Sequence, residues 1–250
     1  MIKQTEEFVM ESIKNKKLIL LLAVFVFAVT VIFAGCAGST TTEGDGSENI
    51  SESTQETSLH QTDTRLADAY ELNNDVVGWL TVDGCEIDNR IFQAADNDKY
   101  LRVDEEGNYD VWGCYFLDYI NVIENDSRFT DKVNIIYGHS FEDDAENEKF
   151  SKLKRYCDAE FAARHPIIKF DFLNGTSEWQ IFSACKIPIT IDYIDPNPYE
   201  EKYRETLDYM VNNSYVDFGV DVTDDDQILV LSTCTSDENV RFIIAAKFVE

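Results

Sequence analysis

The chain has 250 residues, with 48 Asp and Glu against 21 Lys and Arg, a formal net charge of -27 and 44% hydrophobic side chains. That apolar share, with only four Pro, is enough for a packed core and excludes wholesale disorder; at about 150 residues per domain the length fits one large or two small domains. So acidic a chain repels phosphate backbones and shows no basic patch, which excludes a nucleic-acid partner.

Residues 1–17 carry Lys14, Lys16 and Lys17 and are read as a cytoplasmic N-terminus, because no basic residue follows until Arg65. The segment 18–37 is apolar apart from Thr30 and a few small residues, enough helix to cross roughly 30 Å of hydrocarbon at ~1.5 Å per residue. It is expected to be a transmembrane anchor. Phe33-Ala34-Gly35-Cys36 supports a second reading, a signal peptide cleaved before a lipidated Cys36. Either way the remaining chain is expected outside the cell, tethered to the membrane. Residues 38–63, rich in Ser, Thr, Glu and Gly, cannot bury enough apolar surface to order a backbone and read as a disordered linker.

Residues 64–250 form one expected catalytic-sized domain without internal repeats. Thr64 caps a predicted helix over 65–72, and Asn73-Asn74-Asp75 ends it. Short runs rich in Val, Ile, Phe, Tyr and Trp, bounded by Gly, Asp and Asn, predict strands at 77–82, 86–92, 113–117, 133–137, 167–172, 179–186, 227–232 and 241–249. Helical pieces are predicted at 149–156, 159–165 and 199–212. The fold class expected is mainly β: an eight-stranded barrel with an N-terminal helix and helical insertions, preceded by the membrane-spanning helix. Closure removes exposed strand edges.

Three histidines are present. His60 falls in the linker, and His165 precedes Pro166 at a predicted helix end, where a cation suits the helix dipole. His139 differs, because the apolar strand Asn134-Ile135-Ile136-Tyr137 stops at Gly138 and delivers the imidazole to a strand end. Of the six cysteines, Cys114 and Cys185 sit in apolar strand text and read as core; Cys85, in a turn, and Cys157, at a helix end, are read the same way. No CxxC or Cys/His spacing supports zinc. Cys234 instead closes a predicted strand before the polar loop 235–239, a position that exposes a thiol, and Arg241 opens the following strand. In a hairpin the guanidinium and the sulfur share one end, where a cation favours the thiolate. The acidic clusters at Asp143, Asp144, Glu146 and Glu148 and at Asp224, Asp225 and Asp226 lack the ordered ligand spacing of a calcium loop and read as solvated. No metal and no cofactor is expected.

Tyr137-Gly138-His139 after an apolar strand, Leu231-Ser232-Thr233-Cys234, and Arg241-Phe242-Ile243-Ile244 in the last strand together resemble sortases, class B most closely. Asp75-Val76-Val77-Gly78-Trp79-Leu80, Asp96-Asn97-Asp98-Lys99-Tyr100-Leu101 and Phe116-Leu117-Asp118-Tyr119 extend the likeness from about residue 66 to the end. The chain departs from the family pattern at Ser140, where Asn is usual, and in its short loop from Cys234 to Arg241. The resemblance implies a membrane-anchored cysteine transpeptidase that cleaves an Asn/Ser-Pro-x-Thr-like C-terminal sorting signal on surface proteins. The acyl group would pass through a thioester to a cell-wall amine, on a peptidoglycan precursor or cross-bridge. It implies Cys234 as nucleophile, His139 as acid and base, and Arg241 as oxyanion or positioning group. Asn97, Leu101, Tyr137, Ser232, Thr233, Tyr193 and Ile194 would line the peptide groove, with 188–198 as its flanking loop. The same residues without an amine acceptor would make a surface cysteine protease, and a non-catalytic surface lipoprotein is the third alternative.

Overall fold

Alternation along two strands organises the molecule. In the computed structural model, which describes residues 64–140 and 149–249, β9 (Ile228–Cys234) points Leu229 and Leu231 into one apolar cluster and Ile228 and Val230 into another. β6 (Val133–Tyr137) does the same with Ile136 against Val133 and Ile135. Successive side chains leave opposite faces of a strand, so each strand fills the barrel interior with one set and offers the other to whatever covers it outside. The expected anchor at 18–37, with Cys36, the linker with His60, and the acidic cluster from Asp143 to Glu148 lie outside the described residues.

The described chain runs α1 (Thr64–Leu72), β1 (Val76–Val82), β2 (Ile87–Phe92), β3 (Phe116–Leu117), β4 (Ile123–Glu124), β5 (Arg128–Phe129) and β6. It continues through α2 (Ala159–Arg164), β7 (Ile167–Phe172), β8 (Gly175–Pro188), α3 (Glu200–Asn212), β9 and β10 (Val240–Phe248). Eight strands close in the order β1-β2-β3-β6-β9-β10-β8-β7, and β1 pairs with β7 to complete the ring. Two neighbours are parallel, β2 with β3 and β6 with β9.

Trp179, Phe170, Ile181, Leu229, Leu231 and Ile244 belong to the interior cluster. Outside, α3 lays Tyr203, Leu207 and Met210 over Val133, Ile228, Val230 and Ile243. α1 brings Leu66 and Ala69 to Val76, Phe92, Tyr100 and Phe116. Tyr137 borders both outer clusters, so the strip of barrel wall around it runs between the two covers.

The expected strands 133–137 and 167–172 match β6 and β7 end for end. β8 is longer than the apolar text predicts because its first residues pair with β7 through polar groups: Thr176 Oγ1 donates to Asp171 Oδ1 at 2.6 Å and Ser177 Oγ to the Phe170 carbonyl at 3.1 Å. The expected strand 113–117 shrinks to Phe116–Leu117, because Gly113 adopts φ +53° and lies so close to the Tyr100 carbonyl that a Cβ would sit 2.2 Å from it. The β4–β5 hairpin was not expected; Asn125 and Asp126, both at positive φ, turn two strands too short to show periodicity. The expected 149–156 helix is a run of 3-10 turns over Lys149–Cys157, and Thr64 is the first residue of α1 instead of its cap.

Candidate active site

Register brings the three candidate side chains together. Tyr137 is the parallel partner of Ser232, and one alternation further along each strand lie His139 and Cys234, leaving the same outer face. Arg241 is the antiparallel partner of Cys234 across the β9–β10 hairpin, so thiol and guanidinium also share that face. Between Tyr137 and His139, Gly138 turns inward, where a Cβ would lie 2.7 Å from Phe150 and 2.8 Å from Tyr115. Its missing side chain lets those rings close the barrel directly beneath the site.

These residues line a cleft of about 210 Å³ with Asn97, Asp98, Leu101, Phe116, Tyr137, Ser232 and Thr233. Alternation turns the Thr233 side chain inward opposite Phe242, where its Oγ1 finds no hydrogen-bond partner among the described residues; what it can present to the cleft is backbone. Tyr193 and Ile194 do not line it. Tyr193 is buried behind Ser232, its hydroxyl 2.8 Å from Ser232 Oγ, and Ile194 is 42% exposed on the flanking loop.

The far wall is built by a 3-10 turn, Lys99–Leu101. Asp96 Oδ1 accepts from the Asp98 and Lys99 amides, Tyr100 donates to Asp75 at 2.8 Å, and the Tyr100 carbonyl accepts from Cys114 N. This fixes the Leu101 carbonyl 2.7 Å from His139 Nε2. A carbonyl can only accept, so the imidazole hydrogen sits on Nε2 and the lone pair on Nδ1. Burial pushes the imidazole below its ordinary pKa, the Leu101 bond opposes that, and Arg102, with Nη1 3.3 Å from Nε2, adds to the lowering. His139 therefore rests neutral at neutral pH.

Cys234 is exposed, and the structure contains no disulfide among its described cysteines. Burial pushes the thiols of Cys85 and Cys114 up to about 12 and that of Cys185 to about 11, and it raises Cys157 as well. Those four are held as thiols at neutral pH. Arg241 Nη1 donates to the carbonyls of Glu238 at 2.8 Å and Val240 at 3.1 Å, which anchors one edge of the guanidinium on its own hairpin loop.

Two cleft neighbours carry no role in the sequence reading. One is Arg102, beside His139. The other is Asp118, 2% exposed, which accepts from Tyr137 Oη at 2.7 Å and from Asn97 Nδ2 at 3.0 Å. Its signal in the sequence was an acid set inside the apolar run Phe116-Leu117-Asp118-Tyr119. Elsewhere, Asp224 pairs with Arg204 and Asp226 with Lys247, so those acids are partners of bases. His165 ends α2, its ring against Phe161.

An eight-stranded barrel that presents an exposed thiol, a neutral imidazole and a guanidinium on one face defines a thiol acyl-transfer enzyme. No protein-family profile matches the chain. It is 33% identical over 188 residues to sortase B of Listeria monocytogenes, covering 74% of each chain. The Staphylococcus aureus sortase B–substrate complex superposes with a TM-score of 0.68 at 29% identity, over 76% of this chain and 87% of that one. A sortase B complexed with triglycine superposes with a TM-score of 0.67 at 31% identity, over 76% and 89%. The chain belongs to the sortase B family of cysteine transpeptidases.

Proposed function

We propose that Cys234, His139 and Arg241 carry the transpeptidation, on a peptide sorting signal of Asn/Ser-Pro-x-Thr type, with a cell-wall amine as acceptor. The observation that carries this reading is the register that sets Cys234 opposite Arg241 and aligns β9 with β6. Neutral His139 takes the Cys234 thiol proton as the sulfur attacks the scissile carbonyl; a C–S bond forms, the carbonyl π bond opens, and the oxyanion develops beside Arg241. As the C–N bond breaks, the imidazolium formed at His139 returns a proton to the leaving amine, leaving a thioester. An incoming amine then attacks the thioester carbonyl and His139 takes its proton; the C–S bond breaks, and the departing Cys234 sulfur recovers a proton from His139, which returns to the neutral state. A relative crystallised with substrate and another with triglycine support a peptide donor and an amine acceptor for this chain too.

The test is incubation of the domain with a peptide library, with and without triglycine, read by mass spectrometry. Cleavage and amine-dependent ligation by wild type, both lost in Cys234→Ala, are expected. Hydrolysis alone at every triglycine concentration would make the chain a surface protease, and no thioester on Cys234 would overturn the reading.

We also propose that the domain is held on the outer face of the membrane by an uncleaved helix over 18–37. The basic residues ahead of it and the apolar run itself support this. Full-length protein in which Cys36→Ser stays in the membrane fraction is expected, whereas an intact mass showing diacylglyceryl-Cys36 would replace the helix with a lipid.

A further inference from the structure

Asp118 stands at the start of the loop after β3 with its carboxylate buried, and among the described residues no cation forms an ion pair with it. Neutral donors satisfy it instead. Its Oδ1 accepts from the Ile120 amide at 3.1 Å, while a single oxygen, Oδ2, accepts both from Tyr137 Oη at 2.7 Å and from Asn97 Nδ2 at 3.0 Å. A buried carboxylate is costly unless such donors hold it, so the arrangement has few alternatives.

The two donors on Oδ2 both line the cleft, and they come from different parts of the fold. Asn97 lies on the segment before the Lys99–Leu101 turn; Tyr137 ends β6, next to His139. The Tyr119 amide can only donate, and it meets Asn97 Oδ1 at 3.0 Å, so the Asn97 amide cannot flip. With Oδ1 turned to the Tyr119 amide and one N–H on Asp118, Asn97 keeps its second N–H to offer the cleft. Tyr137 gives its hydrogen to Asp118, so its oxygen can only accept from anything in the cleft. Burial first, and then the Asp118 charge, raises the Tyr137 phenol, which keeps that hydrogen in place.

We infer that Asp118 is a positioning residue for the peptide: one buried oxygen sets the hydrogen-bond polarity of the cleft wall, with Asn97 as donor and Tyr137 as acceptor. The inference rests on the reading of this cleft as the peptide groove. Asp118 touches no reacting atom; it acts through two side chains that do face the substrate. A peptide seated there must offer a carbonyl-type acceptor to Asn97 and an N–H to Tyr137, and a segment with the reverse order meets two mismatches.

Asp118→Asn keeps the shape but leaves one oxygen where there were two, so an N–H group must face either the Ile120 amide or the pair on the shared position. KM for the peptide is expected to rise about tenfold, the cost of one buried bond left unmade, while kcat falls less than threefold. The same change placed on an Asn97→Ala, Tyr137→Phe background should leave KM where that background puts it, because nothing remains for Asp118 to orient. A full additional loss on that background, or an unchanged KM in the single variant, would overturn the inference. Should Asp118→Asn not fold, Asn97→Ala and Tyr137→Phe decide: sharing one oxygen, they must be non-additive in kcat/KM, and simple additivity would overturn it. Wild-type cleavage that survives Cys234→Ala would instead fail the reading of the groove, a result that none of these variants can mimic.

Discussion

The two ends of the barrel are built from the same strands and serve opposite purposes. Where β9 stops and β10 starts, the outward positions are Ser232, Cys234 and Arg241, bordering an open cleft. Where β9 starts and β10 stops, Phe248 pairs with Trp179, and Phe129 packs edge-on against Trp179 and Phe172. Trp179 is fully buried and its Nε1 donates to Ser177 Oγ at 2.8 Å. The aromatic end holds the ring of strands in place, and the open end can then carry reactive groups that contribute little to packing. Stability and chemistry are separated along the strand axis, so each can be perturbed alone.

The largest effect expected is at the open end. Cys234→Ala should remove thioester formation completely, with a melting temperature close to wild type, since an exposed thiol leaves no cavity. A trapped acyl-enzyme absent by intact mass, beside an unchanged melt, checks both halves. The converse is Trp179→Ala at the aromatic end, expected to cost about 3–5 kcal/mol of stability by denaturant unfolding. Below the lowered melting temperature, the alkylation rate of Cys234 should match wild type; a changed rate would mean the ends are coupled.

Arg241→Lys keeps the charge but loses the planar fork that is tied to Glu238 and Val240. Turnover is expected to fall ~10² to 10³-fold with normal stability; near wild-type turnover would reduce Arg241 to a hairpin contact worth at most about 1 kcal/mol.

The smallest effect concerns His139 and pH. Its folded-state pKa is lowered, so between that value and the ordinary ~6.5 the unfolded chain binds a proton that the folded chain does not. Stability from this group is therefore complete above the ordinary value and is lost as pH falls through the folded one, at a limiting slope of about 1.4 kcal/mol per pH unit. Urea titrations of wild type and His139→Gln should diverge as the pH drops below neutrality, with the variant losing less. Parallel curves would show that burial does not penalise the imidazolium.

Much of this was legible in the sequence, and the exceptions have physical reasons. β6 reads correctly as a short, mostly apolar run ended by Gly138, and β7 because buried Ile168, Phe170 and Phe172 alternate with Lys169 and Asp171 before the turn at Asn174. Cys234, His139 and Arg241 stood out because each interrupts apolar text at a strand end, where only register was needed to unite them. The start of β8 was hidden because its first rungs are held by Thr and Ser hydroxyls, and β4 with β5 because two residues show no period. Asp118 was quoted only as part of a motif. Its role depends on two donors, 19 and 21 residues away in sequence, meeting at one oxygen, and no local pattern encodes that.

The parallel seam between β6 and β9 also sets when the enzyme comes into being. Asn134 Nδ2 donates to the Ile228 carbonyl across 94 residues of chain, and everything that aligns His139 with Cys234 rests on pairings of that span. Loops so long close late, since their entropy is lost before any contact compensates. A partly folded chain thus holds a thiol and an imidazole that cannot find each other. Acyl transfer by this pair needs the β6–β9 seam in register, so its catalytic alignment belongs to the closed barrel and not to any short stretch of chain.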